Sequence, residues 1–175
     1  MSGAGFLEKV RIILDNTNTL EPGTSLTGPE GKDVLNKADI EGILPHREPF
    51  LMIDRVTEME PGSSAVAEKD IVATDDVFRG HFPGHPVFPG VLILEALAQT
   101  GAVAVLSRPE AHGKIILFAR ADDVRFRRPV VPGETLRLEM RLTKSRGPIG
   151  MGEGKAFVGS ELACSGVLTF AIAER

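Results

Sequence analysis

The stretch FRGHFPGHPVFPGVLILEALAQ, residues 78–99, constrains the fold more than any other part of the chain. Between residues 83 and 90 it holds three prolines and two glycines. These exclude a regular helix or strand there, because proline lacks a backbone N–H and glycine permits unusual backbone angles. An almost wholly apolar run follows over 91–106, with Glu95 and Gln99 as its early polar residues. A helix that is apolar on every side must be buried on every side, so we expect a central helix.

Segments with strand character surround this predicted helix. The clearest is 134–145, in which leucine and methionine alternate with charged or polar residues. Most segments are joined by short turns, which require antiparallel neighbours. We therefore predict an α+β fold in which a strongly curved antiparallel sheet wraps around the helix, with a second protomer covering the remainder. The glycine-rich residues 147–154 are interpreted as a loose hairpin loop. The predicted strands are 50–60, 64–74, 114–126, 134–145, 155–164 and 167–173.

The first 36 residues differ from the rest and are predicted to be an N-terminal extension to a domain over 37–175. Apolar residues within 6–14 have helical spacing, whereas 16–32 is rich in turn-forming residues and indicates a loop. The extension is interpreted as a mobile segment in preference to a partner-binding arm. Asp39 is expected to cap a short turn that Pro45 ends.

Bulk composition restricts the class of protein. The formal net charge of −4 gives no reason to expect a nucleic-acid partner. A single cysteine, Cys164, cannot form an internal disulfide, and we expect a buried structural thiol in a reducing compartment. No apolar run is long enough to span a membrane, and no secretory segment is evident, so a cytoplasmic location is expected.

Acid–base chemistry is indicated by a histidine in the rigid loop and a carboxylate in the apolar helix. His81 is suited to accept a proton near neutral pH, and the glycines and prolines around it fix its backbone. Apolar surroundings would favour the protonated form of Glu95, which could then act as an acid. Gln99 shares its helical face and could orient the carboxyl group or meet water at a dimer seam. Gly90 and Val91 mark the expected helix start, where free N–H groups favour an oxyanion.

Other polar residues support weaker interpretations. His81 and His85 cannot form a helical metal pair because Pro83 and Gly84 lie between them, so no metal site is predicted. His46 is interpreted as a turn anchor and Asp54 as a structural partner. His112 is interpreted as a solvated loop residue. A basic cluster is equally compatible with a solvated sheet face and with docking of an acidic carrier or a phosphate. The candidate docking residues are Arg120, Arg125, Arg127 and Arg128.

Three segments together resemble the (3R)-hydroxyacyl-[acyl-carrier-protein] dehydratases of type II fatty acid synthesis. They are LPHREPFLMIDRV (44–56), GHFPGHPVFPGVLILEALAQTG (80–101) and ADDVRFRRPVVPGETL (121–136), and the match covers about 37–173. The resemblance implies a hot-dog fold, dimers with a continuous sheet and often a trimer of dimers. It also implies dehydration of an acyl-carrier-protein thioester without metal or redox cofactor.

The same resemblance assigns roles to individual residues. His81 takes the position of the catalytic histidine and Glu95 that of the catalytic glutamate, contributed by opposite protomers. Gly90 would donate its N–H to the thioester carbonyl, with Gln99 near the carboxyl group. We also expect Val91 and two aromatic residues of the central motif to contact substrate. These are Phe82 and Phe88.

Departures from the family pattern leave alternatives. Glu48 stands where the family often has an aromatic residue, and the chain has no tyrosine or tryptophan, so a tunnel gate would be phenylalanine or aliphatic. An acyl thioesterase of the same fold would use a carboxylate to activate water and would not need the His81 loop. A dehydratase–isomerase would typically have aspartate at the position of Glu95. A non-catalytic acyl-thioester sensor would be expected to lack one of the two residues or to carry a DNA-binding helix pair.

Overall fold

The computed structural model describes residues 26–27, 34–111 and 113–174. Within them are two α-helices, α1 (Lys37–Ile43) and α2 (Gly90–Leu106). Two short 3-10 segments lie at Asp76–Arg79 and Pro109–Ala111. The strands are β1 (Leu26–Thr27), β2 (Arg55–Glu60), β3 (Ser64–Asp70), β4 (Ile115–Phe126), β5 (Thr135–Arg146), β6 (Ile149–Val158) and β7 (Glu161–Ala173).

All described strands form a single antiparallel sheet in the order β1-β2-β3-β5-β6-β7-β4. Helix α2 contacts each of the six longer strands, so the sheet curves around it. Ala96, Leu97, Val103 and Ala104 of the helix are fully buried. The predicted α+β arrangement of a curved antiparallel sheet around a buried central helix is confirmed. No helix in the described part of the chain is long and apolar enough to cross a membrane.

The N-terminal predictions have mixed outcomes. The predicted helix over 6–14 and His112 lie outside the described residues. Strand β1 falls inside the segment predicted to be a loop, and it pairs with β2. The expectation that Asp39 caps the first helix is wrong. Asn36 is the N-cap, and Asp39 is the third helical residue of a capping box in which each side chain bonds the other residue's N–H.

The first hairpin and the next two strands follow the sequence pattern, although β3 ends at Asp70 and the predicted strand continued to 74. Strands β2 and β3 are joined by the predicted turn at Pro61 and Gly62, where the glycine φ is 78°. Strands β4 and β5 begin and end within one residue of the predicted 114–126 and 134–145. Strand β2 begins later than predicted because 50–54 is irregular; Asp54 there accepts the Asp70 N–H at 2.8 Å.

The interpretation of 147–154 as a loose loop is wrong, because most of it is β6. A Cβ atom on Gly150 would lie 2.3 Å from Phe170 Cζ, and one on Gly154 would lie 3.1 Å from Leu97 Cδ1. These glycines therefore make room for side chains of β7 and α2, and do not end the strand. The predicted strand over 155–164 is also interrupted, by a turn at Gly159 with φ 57°.

Cys164 is fully buried on β7. Burial raises the pKa of its thiol to about 11, with Arg127 opposing the shift. A thiol with this pKa holds little thiolate at neutral pH and is a poor nucleophile. The prediction of a buried structural cysteine is confirmed.

Candidate active site

Glu95 and Gln99 form one hydrogen-bonded unit on α2. Gln99 Nε2 donates to Glu95 Oε1 at 2.8 Å, across the four-residue spacing that places both on one face. The same nitrogen donates to the Phe50 carbonyl at 2.9 Å, and Gln99 Oε1 accepts the Met52 N–H at 2.8 Å. The Gln99 residue is 1% exposed. The backbone of 50–52 thus fixes which end of the amide faces Glu95.

This fixed amide distinguishes the two oxygens of Glu95. Oε1 receives an N–H donor, so it acts as an acceptor in this arrangement. A proton on this carboxyl group would therefore be held on Oε2. The surroundings are less apolar than the sequence suggested, because an amide and an imidazole both approach the carboxyl group.

His46 is the site residue whose position sequence reasoning missed. Its Nε2 lies 3.7 Å from Glu95 Oε1, and its ring stacks on Phe50 with centroids 6.4 Å apart. Its Nδ1 is buried and has no hydrogen-bond partner among the described residues. The interpretation as a turn anchor overlooked this contact, since 48 intervening residues separate the two positions along the chain. The available signal was its place in the motif LPHREPF.

A cavity of about 230 Å³ extends from Glu95 along α2 towards Ala102. His46 and Gln99 contribute its polar wall. The remaining wall is almost entirely apolar and comes from the helix, the facing strands and the segment before β2. These lining residues are Phe50, Ala98, Gly101, Ala102, Ile116, Leu117, Phe118, Met140, Leu168 and Phe170. An apolar chain attached at the Glu95 end would fit this space.

His81 occupies a separate loop and is not among the residues lining this cavity. Its Nδ1 lies 2.7 Å from the Val87 carbonyl oxygen, and the Val87 N–H donates back to the His81 carbonyl at 3.0 Å. A carbonyl oxygen only accepts, so Nδ1 carries the proton and Nε2 of the neutral ring has a free lone pair. The His81 ring stacks on Phe82, whose side chain is half exposed.

Helix α2 begins at Gly90, as predicted, with Pro89 as its N-cap. The first backbone bond runs from the Leu92 N–H to the Pro89 carbonyl at 3.0 Å, so the N–H groups of Gly90 and Val91 precede it. Val91 is 67% exposed. A Cβ atom on Gly90 would lie 2.7 Å from Phe126 Cε1, so a larger residue would require that ring to move.

The aromatic side chains of the central motif differ in their placement. Phe88 is 3% exposed and packs against Phe78 with ring centroids 6.3 Å apart, so within one chain it belongs to the core. Its N–H donates to the Val130 carbonyl at 2.7 Å. Phe82 remains open to solvent. Glu48, the departure from the family pattern, is exposed and forms an ion pair with Lys37, which raises the Lys37 pKa.

The four arginines of the basic cluster are differently engaged. Arg128 is bridged to Glu134 and to Glu161. Arg120 pairs with Asp122, and Arg127 donates to the Ser165 hydroxyl at 2.8 Å. Arg125 is exposed and has no ion pair among the described residues. The described residues contain no group of three His, Cys, Asp or Glu side chains placed to hold a metal ion, and absence of a metal stays a prediction.

The curved sheet around a buried helix, with a cavity beside a helical carboxyl group, defines a protein of the hot-dog class. A solved structure titled "The Dehydratase Heterocomplex ApeI:P" from Xenorhabdus doucetiae has a similar fold, with a TM-score of 0.66 at 18% identity. The match covers 78% of this chain and 91% of that one. The family model described as "FabA-like domain" matches residues 44–166.

Curated relatives give a closer comparison. A 3-hydroxyacyl-[acyl-carrier-protein] dehydratase FabZ from Roseiflexus castenholzii is 58% identical over 139 residues, covering 79% of this chain and 97% of the relative. The Symbiobacterium thermophilum protein of the same name is 58% identical over 132 residues, covering 75% and 93%. The Moorella thermoacetica protein is 58% identical over 136 residues, covering 78% and 95%.

The chain belongs to the FabA-like family and, within it, to the 3-hydroxyacyl-[acyl-carrier-protein] dehydratases named FabZ. The resemblance drawn from three sequence segments is therefore confirmed, as are the hot-dog fold and the assignment to the hydro-lyases.

Proposed function

We propose that this chain catalyses the reversible dehydration of (3R)-3-hydroxyacyl-[acyl-carrier-protein] to trans-2-enoyl-[acyl-carrier-protein] during fatty acid elongation. The relatives named as dehydratases for such substrates support this activity. The observation that favours a proton-abstracting role is the 2.7 Å contact between His81 Nδ1 and the Val87 carbonyl, which leaves Nε2 as the free base.

In the proposed reaction, His81 Nε2 removes a proton from C2 of the substrate. The electron pair of that C–H bond forms the C2=C3 double bond as the C3–O bond breaks. Glu95 Oε2 gives its proton to the departing hydroxyl, which leaves as water. The proton now on His81 returns to the Glu95 carboxylate, directly or through water, and restores the starting state. The step involves no net oxidation or reduction, so the chemistry requires no redox cofactor.

Two further groups prepare this elimination. The N–H of Gly90, at the start of α2, would bond the thioester carbonyl and stabilise the charge that develops as the C2 proton leaves. Gln99 holds Glu95 Oε1 as an acceptor and so reserves Oε2 for proton transfer. Val91 and Phe82 are exposed next to these groups in sequence and would contact the thioester end of the substrate. Phe88 is buried behind the same loop and would contribute to the substrate site from the core side.

The two halves of the site are proposed to meet across a dimer. His81 does not line the cavity beside Glu95 in its own chain, which favours an opposing protomer as the source of the histidine. Strand β4 is at one end of the sheet and has no strand partner on its outer edge within the described residues. Leu117, Phe118 and Phe126 on this strand are exposed. An unpaired edge strand with exposed apolar side chains suits pairing with a second copy and a continuous sheet.

Higher assembly and carrier binding follow the family resemblance. A trimer of dimers is proposed on that basis, as is a cytoplasmic location. The acyl carrier protein would dock at the arginine cluster by complementary charge, with Arg125 and Arg127 more available than the doubly bridged Arg128. The role of residues 1–36 as an extension outside the catalytic domain is likewise proposed.

The proposed activity is tested by incubating the purified chain with a crotonyl or 3-hydroxybutyryl thioester of acyl carrier protein. Formation or loss of the conjugated enoyl group is followed by absorbance. We expect interconversion in both directions without added metal, and unchanged rates with a chelator. Absence of interconversion, or release of free thiol from the thioester, would contradict the proposal and favour a binding protein or a thioesterase.

A further inference from the structure

Two cavities follow the same face of α2, and the side chain of Phe170 lies between them. The first runs from Glu95 to Ala102, about 10 Å of helix. The second, of about 220 Å³, continues the same direction beside Val105 and Arg108. Phe170 lines both cavities.

The strand opposite the helix shows the same continuation. Successive side chains on one face of a strand are two residues apart. On β7, Leu168 lines the first cavity, Phe170 lines both and Ile172 lines the second. The wall formed by β7 is therefore continuous along both cavities, and Phe170 is its shared member.

From this arrangement we infer that Phe170 is the distal wall of the acyl site and sets the length of acyl chain that the enzyme accepts. The inference rests on the proposed function, in which the acyl chain extends from Glu95 into the first cavity. The end of a short acyl chain stops before it reaches Phe170. The end of a longer substrate reaches the ring and must displace it to enter the second cavity.

The neighbourhood of Phe170 explains how the ring blocks the passage. Gly150 on β6 is its register partner, and the ring occupies the space where a Cβ on Gly150 would lie. The glycine thus accepts an aromatic ring lying flat against the neighbouring strand. Phe170 is only half-buried, and it has a cavity on each side, so the packing around it leaves room for rotation.

The second cavity also has a limit. Arg108, Thr143, Lys144 and Ser145 contribute to its lining. An apolar chain end gains nothing by passing charged and hydroxyl groups into water. Removal of the Phe170 ring should therefore extend the accepted chain by the length of the second cavity and no further.

The experiment compares Phe170→Ala and the milder Phe170→Leu with wild type. The ratio of kcat/KM for a 3-hydroxyhexadecanoyl thioester to that for a 3-hydroxybutyryl thioester is measured for each. The ratio does not depend on the fraction of folded enzyme, so partial loss of stability does not affect it. Ile172→Ala is the matched control, because it enlarges the second cavity and leaves the ring in place.

A second readout does not require turnover. Calorimetric binding of saturated hexadecanoyl and butyryl pantetheine thioesters gives the same ratio as an affinity. This readout separates the two proposals, because wild type without turnover would refute the proposed dehydration while the binding ratios still test Phe170.

We expect the long-to-short ratio to rise about tenfold or more in Phe170→Ala, because each newly buried methylene contributes about fourfold. Phe170→Leu should give a smaller rise, and Ile172→Ala should leave the ratio unchanged. The double variant Phe170→Ala with Ile172→Ala should have a higher long-to-short ratio than Phe170→Ala alone. Equal ratios in wild type and both Phe170 variants would overturn the inference, as would an equal shift in Ile172→Ala alone.

Discussion

The helix that presents Glu95 and the loop that presents His81 hold their functional side chains in different ways. Glu95 is fixed by Gln99, a buried side chain with three hydrogen bonds to groups from two segments. The His81 ring is held by a hydrogen bond to a carbonyl six residues along the same loop and by stacking on the adjacent Phe82. The position of the carboxyl group therefore depends on the packing of the whole domain, whereas the position of the histidine ring depends on its own loop.

In the proposed site, the helix and the loop therefore contribute different parts. The helix side has a completed cavity in which an acyl chain can lie. The loop side has an oriented base and an exposed phenylalanine, and His81 does not line the cavity beside Glu95 in its own chain. Each half supplies what the other lacks, which is the arrangement expected of a site built from two copies of one chain.

The largest expected effect comes from removing either reacting group. His81→Ala and Glu95→Gln should each lower kcat about 10²–10⁴-fold, because each removes a positioned proton-transfer group. Steady-state kinetics with a 3-hydroxybutyryl thioester measures the loss. His85→Ala, in the same loop, is the matched control, because His85 bonds to Phe82 through backbone atoms that the substitution keeps. Retained activity in either site variant, or a comparable loss in the control, would contradict the assignment.

Changes to Gln99 should distinguish the helix half from the loop half. Gln99→Leu leaves the Phe50 carbonyl and Met52 N–H without their buried partner, and it frees Glu95 Oε1. We expect a loss of about 1–3 kcal/mol in unfolding free energy together with a lower kcat. Denaturant unfolding and kinetics provide the two measurements.

The control for Gln99 is Thr100→Val, which removes a buried hydroxyl bonded to the Ala96 carbonyl one turn away. It should cost stability without changing kcat. A Gln99→Leu variant with wild-type kcat would show that the amide stabilises the fold and has no part in orienting Glu95.

The helix, its loop and the first hairpin could be predicted because their signals are local. Prolines and glycines before Gly90 and the apolar run after it define α2 directly. Strand β6 could not be recognised, because its glycines resemble those of a loop. Glycine is required at these positions because the side chains of Phe170 and Leu97, which are distant in sequence, occupy the adjacent space. The contact of His46 with Glu95 escaped prediction for the same reason.

His46 therefore provides a third, smaller test. His46→Phe keeps a stacked ring beside Phe50 and removes the nitrogen 3.7 Å from Glu95. We expect a lower kcat in steady-state kinetics, with a smaller loss than in Glu95→Gln, because a polar group beside the carboxyl is gone. An unchanged kcat would limit His46 to packing.

The smallest effect concerns a pair remote from the cavity. A hydrogen bond from Arg55, with a second from Thr135, lowers the pKa of Asp70. The resulting stabilisation is present above the unfolded-state pKa of about 4 and is lost as pH falls through the lower folded-state pKa. Asp70→Asn should cost less than about 1 kcal/mol at neutral pH, because the carboxylate is partly exposed.

Unfolding by urea at neutral pH and near pH 3 checks this prediction. The difference between wild type and Asp70→Asn should shrink at the acid pH, while activity on the short thioester stays unchanged at neutral pH. A difference that grows on acidification would contradict the sign of the shift.

The central claim is that the loop of one protomer and the helix of another form each site. Its most direct test is to mix His81→Ala chains with Glu95→Gln chains by co-expression with two affinity tags. A mixed dimer contains one intact histidine–glutamate pair out of two. Random pairing makes half of all dimers mixed, so total activity should recover to about a quarter of wild type. If the purified mixed species is no more active than either parent, each site lies within one chain and the claim is wrong.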